Sequence, residues 1–281
     1  MDSILQQTLN NFEFIIIDDA STDNSLAIIK SYNDPRIRLI INDTNLGISA
    51  TLNKGIDLAR SELIARMDAD DISYPARLER QYAYFQKHPD VALVSCWARV
   101  IDEEARFVRL EKYETPYYYY NLTFECWIYH PTVIYKKTAV NSIGKYTELY
   151  SEDFELFWQI SRKYKISNVE EVLVDYRITT TSLHQVIKKT EYDIAQEKQV
   201  MRNIAFYMGK DFQLANAELE CLRHNFNPML QQNNCSAIIR CLKKLDKISF
   251  AILATDNINR DIKALHEAAW YKKNFIIDFF A

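Results

Sequence analysis

Phe12-Glu13-Phe14-Ile15-Ile16-Ile17 is a nearly unbroken apolar run that stops at Asp18-Asp19, the pattern of a strand buried on both faces of a parallel sheet. After it, Ser21 or Thr22 is placed to cap a helix that turns Leu26, Ile29 and Tyr32 inward. Alternation from Arg36 to Ile41, with Ile37, Leu39 and Ile41 on one side, predicts a second strand, and Leu52, Ile56 and Ala59 predict a helix over 48–60. A third apolar run, Leu63-Ile64-Ala65-Arg66-Met67, ends in Asp68-Ala69-Asp70-Asp71. Strand, helix, strand, helix, strand with short connections is the pattern of a doubly wound α/β sheet, which binds ligands at the carboxyl ends of its strands.

Further along, Pro75 opens a predicted helix over 76–88, and 91–95 reads as a strand. Residues 97–110 read as a hairpin turning near Glu103 and Glu104, whereas the tyrosine-rich stretch 113–120 fits neither period. His130-Pro131 leads into an apolar strand over 130–135. Ser151-Glu152-Asp153 opens an amphipathic helix with Phe154, Phe157, Trp158 and Ser161 on one face. A short strand over 169–174 runs into Asp175-Tyr176-Arg177 and a polar loop to His184. From Gln185 on the texture is helical, with helices over 186–208, 213–225, 236–246 and 257–280. The chain therefore divides into an α/β domain over 1–184 and an α-helical extension over 185–281. Near its end, Lys272-Lys273 precedes Phe275-Ile276-Ile277-Asp278-Phe279-Phe280, a face suited either to packing on the extension or to a membrane interface.

Composition narrows the function. A chain with 48% hydrophobic and 26% charged residues has the balance of a soluble globular protein. Its net charge of −4 argues against nucleic acid as a partner. The five cysteines lack metal spacing and fit reduced thiols, and no apolar run approaches the roughly 20 residues that span a bilayer. A cytoplasmic location is expected, with at most a peripheral contact at the inner face of a membrane. Only four glycines are present, so neither a Walker loop nor a dinucleotide fingerprint can be written, and phosphate must be met by metal or side chains.

The candidate chemistry lies in the carboxylates. Asp68 and Asp70, two apart at a strand end, offer hard oxygen ligands suited to Mg²⁺ or Mn²⁺ together with a substrate phosphate. The plainer alternative is an Asp-rich turn. Glu152 and Asp153 likewise either take part in chemistry or simply complement a helix dipole.

Taken together, Phe14-IIIDDASTDNS, Asn45-LGISATLNKGIDLA, Arg66-MDADDISYPARL, His130-PTVIYKK, Ser151-EDFELFW and Asp175-YRI resemble the family-two glycosyltransferases over about residues 1 to 184. These are inverting enzymes of the GT-A fold, an α/β fold with a Rossmann-like mixed sheet, that use nucleotide-diphosphate sugars. The resemblance implies that Asp19 reads the nucleotide base, Asp68 lies beside the ribose or donor sugar, and Asp70 is the direct Mn²⁺ or Mg²⁺ ligand. It implies Asp153 as catalytic base, Glu152 at the acceptor, and His184 as a further metal or diphosphate contact. The implied donor is a UDP-sugar, with dTDP- and GDP-sugars as alternatives, and the implied acceptor a saccharide or lipid-linked saccharide of a cell-surface polymer. Family members begin one strand earlier, so Met1 is expected to fall partway through the family's first helix. A sugar-nucleotide or partner-binding module without turnover is the alternative reading. A phosphate-receiver domain would leave Asp70-Asp71 and Ser151-Glu152-Asp153 unexplained.

Overall fold

The computed structural model describes residues 1–180 and 188–280. In chain order the elements are α1 (Asp2–Leu5), β1 (Phe14–Asp18), α2 (Ser25–Lys30), β2 (Ile37–Ile41), α3 (Ile48–Leu58), β3 (Leu63–Ala65), β4 (Ile72–Ser73), α4 (Arg77–Lys87), β5 (Val91–Ile101) and β6 (Phe107–Glu111). They continue with α5 (Thr115–Asn121), a 3-10 turn at His130–Thr132, β7 (Ile134–Lys136), α6 (Lys137–Ser142), α7 (Glu152–Lys163) and β8 (Lys165–Arg177). The helices α8 (Lys189–Met208), α9 (Asn216–Leu222), α10 (Asn227–Gln231), α11 (Cys235–Ala254) and α12 (Ile262–Phe280) complete the chain. These elements form two compact units that interleave along the sequence: Met1–Lys112, Ile128–Leu156 and Ile166–Thr180 in the first, and Tyr113–Trp127, Phe157–Lys165 and Thr181–Ala281 in the second.

In the first unit, β1 and β2 pair in parallel, Phe14 opposite Ile37 and Asp18 opposite Ile41. The strand after α3 does not join them. Instead β3 runs antiparallel to β7, with Ile64 opposite Tyr135, inside a separate six-stranded sheet of order β3-β7-β5-β8-β4, with β6 on β5. Its core gathers Leu78 and Phe85 of α4 with Val91, Val94, Ile134, Leu173 and Val174 from the strands. Gln81, wholly buried, donates to the carbonyls of Val94 at 3.0 Å and Thr132 at 2.8 Å, and accepts from Arg77 Nε at 3.1 Å. A fully bonded polar pair fixes which strand lies where, because any slip would orphan buried groups. The predicted strand at 130–135 begins only at Ile134. Pro131 cannot donate to a ladder, and the turn it occupies takes up the first residues.

The second unit is helical. The tyrosine-rich stretch resolves as α5, with Pro116 in its first turn and Tyr118, Tyr119 and Tyr120 buried. Asn203 of α8 donates to the Leu122 carbonyl at 3.0 Å, and the Tyr120 hydroxyl lies 2.7 Å from Ser249 Oγ of α11. α12 buries Ala264, Leu265, Ala268, Lys272 and Ile276 on one face. Phe279 stacks within 4.1 Å of Phe226, so the apolar run at the end of the chain packs on the helical unit itself. Lys272, read from sequence as part of a basic flank, is buried and donates to Glu125 at 2.7 Å.

Candidate active site

The acidic segment is held at both ends by strand pairing. Arg66 N extends the β3 ladder to the Val133 carbonyl at 3.0 Å, and Ile72 sits opposite Asp175 where β4 joins β8. Residues 67–71 bridge these anchors as a loop, so the carboxylates sit on a fixed frame. Arg177 closes the loop from the other side. Its amide donates to Asp71 Oδ1 at 2.7 Å, its Nε to the Asp70 carbonyl at 2.9 Å, and its Nη1 to the carbonyls of Asp102 and Glu103.

Charge is unevenly distributed within this frame. Arg66 is buried and ion-paired with Asp68 through Nη1. Burial would lower its pKa, but Asp68 first, and Asp153 among the weaker neighbours, raise it. Asp153, at the start of α7, thus shares an electrostatic neighbourhood with the acidic loop. Asp70 is exposed and has no cation paired with it among the described residues. Partial desolvation and then the charge of Asp68 raise its carboxyl above the usual range. Asp71 is pushed up to about 8 by burial and then by Asp68, and its Oδ2 has no hydrogen-bond partner.

Beside this loop lies a second acidic group. Glu152 is buried, with Oε2 unpartnered, and burial followed by the Asp153 charge raises its carboxyl. Its Oε1 is 3.8 Å from Nδ1 of buried His130, whose Nε2 lies 2.7 Å from the Tyr146 hydroxyl. Burial and then Arg66 hold His130 well below the ordinary histidine range, so this contact joins two groups that both favour the neutral form. Asp153 Oδ1 accepts from the Phe154 amide at 2.8 Å.

Asp19 follows the last residue of β1, on the two-stranded sheet, whereas the acidic loop joins strands of the other sheet. It accepts from the amides of Leu46 and Gly47, both at 2.9 Å, and from Asn42 Nδ2 at 2.7 Å. Burial alone would raise its pKa, but these donors outweigh it and hold the carboxyl below the usual range. Gly47, at φ +83, supplies the left-handed turn that points both amides at Asp19. Oδ1 takes two of these hydrogen bonds and Oδ2 one, which leaves a lone pair of Oδ2 for a ligand. His184 lies outside the described residues.

Sequence reasoning passed over Arg66, Arg177 and His130 as site residues. A signal existed for Arg66, an arginine at the end of an apolar run, since such a group is rarely buried unpaired. For Arg177 the signal was its place in Asp175-Tyr176-Arg177-Ile178, but its contacts depend on a strand pairing that brings β8 to β4. Among the described residues, no three His, Cys, Asp or Glu side chains converge into a ready-made metal cluster. Asp70 and Asp68 nevertheless fit a divalent cation that takes much of its shell from phosphate and water, because their mutual repulsion is not neutralised at Asp70.

A mixed sheet carrying an acidic loop between two of its strands, with a carboxylate helix start in the same field, is the architecture of a GT-A glycosyltransferase. The solved structure of Staphylococcus aureus TarS residues 1–349 in complex with UDP matches it at a TM-score of 0.54 and 17% identity, covering 97% of this chain and 82% of that one. The chain belongs to glycosyl transferase family 2, whose pattern matches residues 1–144. It is 37% identical over 191 residues to an uncharacterized glycosyltransferase of Methanocaldococcus jannaschii, covering 63% of this chain and 64% of the relative. It is 33% identical over 193 residues to the O-antigen biosynthesis glycosyltransferase WbnJ of Escherichia coli, covering 65% and 74%.

Proposed function

We propose that this chain is an inverting transferase that moves a sugar from a nucleotide-diphosphate donor, a UDP-sugar first, to a hydroxyl of a saccharide or lipid-linked saccharide in cell-surface polymer assembly. The observation that carries the reading is the shared field of Asp68, Asp70 and Asp153 around one buried arginine, Arg66. The O-antigen relative and the UDP-bound structural neighbour support the acceptor and donor classes. The reaction belongs on the cytoplasmic side, where nucleotide sugars are made.

In this reading Asp153 takes the proton of the acceptor hydroxyl as that oxygen bonds to the anomeric carbon, while the bond from that carbon to the diphosphate breaks on the opposite face. The start of α7 favours the ionised form of Asp153. Glu152 lines the acceptor side and, when protonated, can donate to a sugar oxygen. Asp19 offers the remaining lone pair of Oδ2 to the nucleotide base. Asp70, with Asp68 behind it, would hold Mn²⁺ or Mg²⁺, which as a Lewis acid offsets charge growing on the leaving diphosphate. Arg66 keeps Asp68 oriented.

Replacing Asp153 with Asn should lower transfer by about 10²- to 10⁴-fold, the range for a general base. UDP affinity, measured by calorimetry, should change by less than about twofold, a few tenths of a kcal/mol. Transfer at near-parental rates by the variant would remove Asp153 from the base role.

A further inference from the structure

We propose that the exposed face shared by α11 and α12 docks on the surface of an anionic phospholipid bilayer. On α11, Ile239, Lys243 and Phe250 follow one another at helical spacing, flanked by Arg240 and Lys247, and all five are exposed. Among the described residues none of the three cations on this face has an ion-pair partner. On α12, exposed Trp270 and Ile277 lie two turns apart, each one turn from half-buried Lys273, along a second stripe. Lys273 Nζ donates to both oxygens of Asp246, at 2.9 and 2.8 Å, so the two stripes adjoin at that pair. Phe250 is 74% exposed and Trp270 68%, values far above what a large apolar side chain needs if it serves the core. Next to Phe250 the surface dips into a groove lined by Tyr207, Met208, Asp246, Lys247, Phe250 and Ala251.

Charge selects the occupant. A second copy docked across a two-fold axis would bring Lys243, Lys247 and Arg240 against the same cations, while the nearest acid, Asp246, is already engaged by Lys273. An anionic bilayer meets the same cations with opposite charge, even though the chain as a whole carries −4. Trp and Phe between lysines are suited to the headgroup boundary, where an aromatic body enters the acyl region and ammonium groups stay with phosphates. No helix among the described residues is long and apolar enough to cross a membrane, so this contact is peripheral. Of the run the sequence drew attention to, Lys273 and Ile277 belong to this stripe, whereas Phe275 and Phe279 lie against Phe226, on the opposite flank of α12.

The test is co-sedimentation of the full chain with vesicles of phosphatidylcholine alone and of equal parts phosphatidylcholine and phosphatidylglycerol. Binding to the anionic vesicles is expected, weakening as salt is raised. Lys243→Glu with Lys247→Glu should reduce it by about 25-fold or more, at about fivefold per cation lost. Phe250→Ser with Trp270→Ser should reduce it by at least about tenfold, a few buried CH₂ groups' worth. In the unaltered protein, brominated lipid should quench tryptophan emission, and Trp270→Phe should remove most of that quenching. UDP binding should be the same in all variants, so a failure of the transferase reading shows separately. Equal vesicle binding by parent and charge-reversed protein would overturn the proposal. So would a patch-dependent dimer in light scattering without vesicle binding, or absence of quenching at Trp270.

Discussion

The two units each hold a partly buried carboxylate cluster, and the clusters solve the problem of charge in opposite ways. In the helical unit, Glu125 meets Lys272 at 2.7 Å and His224 Nδ1 at 3.1 Å, and the ammonium also lies 4.6 Å from the Phe124 ring. Burial would raise the Glu125 carboxyl, but Lys272 and then His224 bring it down to about 2. In the α/β unit, Asp70, Asp71 and Glu152 all lie above the usual range, because burial and neighbouring acids act together and Arg66 and Arg177 do not balance them. Internally neutralised charge ties helices together. Charge left in excess at a loop mouth is a place for something that arrives from outside.

The contrast can be broken most severely at Lys272. Changing it to Met strands Glu125, and unfolding free energy should fall by ~3 kcal/mol, at the low end for a broken buried pair because Glu125 keeps a quarter of its side chain in water. A urea titration showing less than about 1 kcal/mol of change would mean that this cluster is not the structural tie described. At the mouth, Asp70→Asn should do the reverse of damage to the fold while weakening Mn²⁺-dependent UDP binding by at least about tenfold, or ~1.4 kcal/mol. Calorimetry with and without Mn²⁺ checks this, and unchanged metal dependence would exclude Asp70 as the ligand.

The smallest effect is the most specific in sign. Asp71 has its native pKa near 8 against a reference of 3.8, so below pH 4 it is protonated in both states and its burial carries no charge penalty. The penalty grows as pH rises and is complete above about 8, so Asp71→Asn, measured with chelator present, should stabilise by about 1 kcal/mol there and not at pH 4. Glu125 slopes the other way: its native value near 2 lies below a reference of 4.5, and its stabilisation is intact above pH 4.5 and lost as pH falls towards 2. Equal pH dependence for Asp71→Asn and Lys272→Met would erase the distinction between the clusters.

How much of this was legible in the sequence depends on distance along the chain. β1, β2 and α3 are local patterns, and so is the acidic loop, because an apolar run cut off by carboxylates advertises a strand mouth wherever the strand lies. Pairing is not local. Nothing in Leu63-Ile64-Ala65 says that it lies antiparallel beside Ile134–Lys136 rather than parallel to β1. β5 and β8 run much longer than their apolar centres, since residues such as Arg99 and Asp175 satisfy each other at 2.7 Å instead of ending the strands. The same limit hid the contacts of Arg177. For the final helix, packing on the extension is the reading that holds, since Phe275 and Phe279 lie against Phe226, but periodicity alone did not single out Trp270 as the more exposed ring.

Asp19 has one further consequence. The amides of Leu46 and Gly47 at the start of α3 are the kind of paired donors that elsewhere seize phosphate, and here the protein supplies its own anion to them. The chain carries a built-in surrogate for a phosphate group at that helix end. In the transferase reading proposed above, the donor's diphosphate would find that berth taken and would be left to the loop of aspartates.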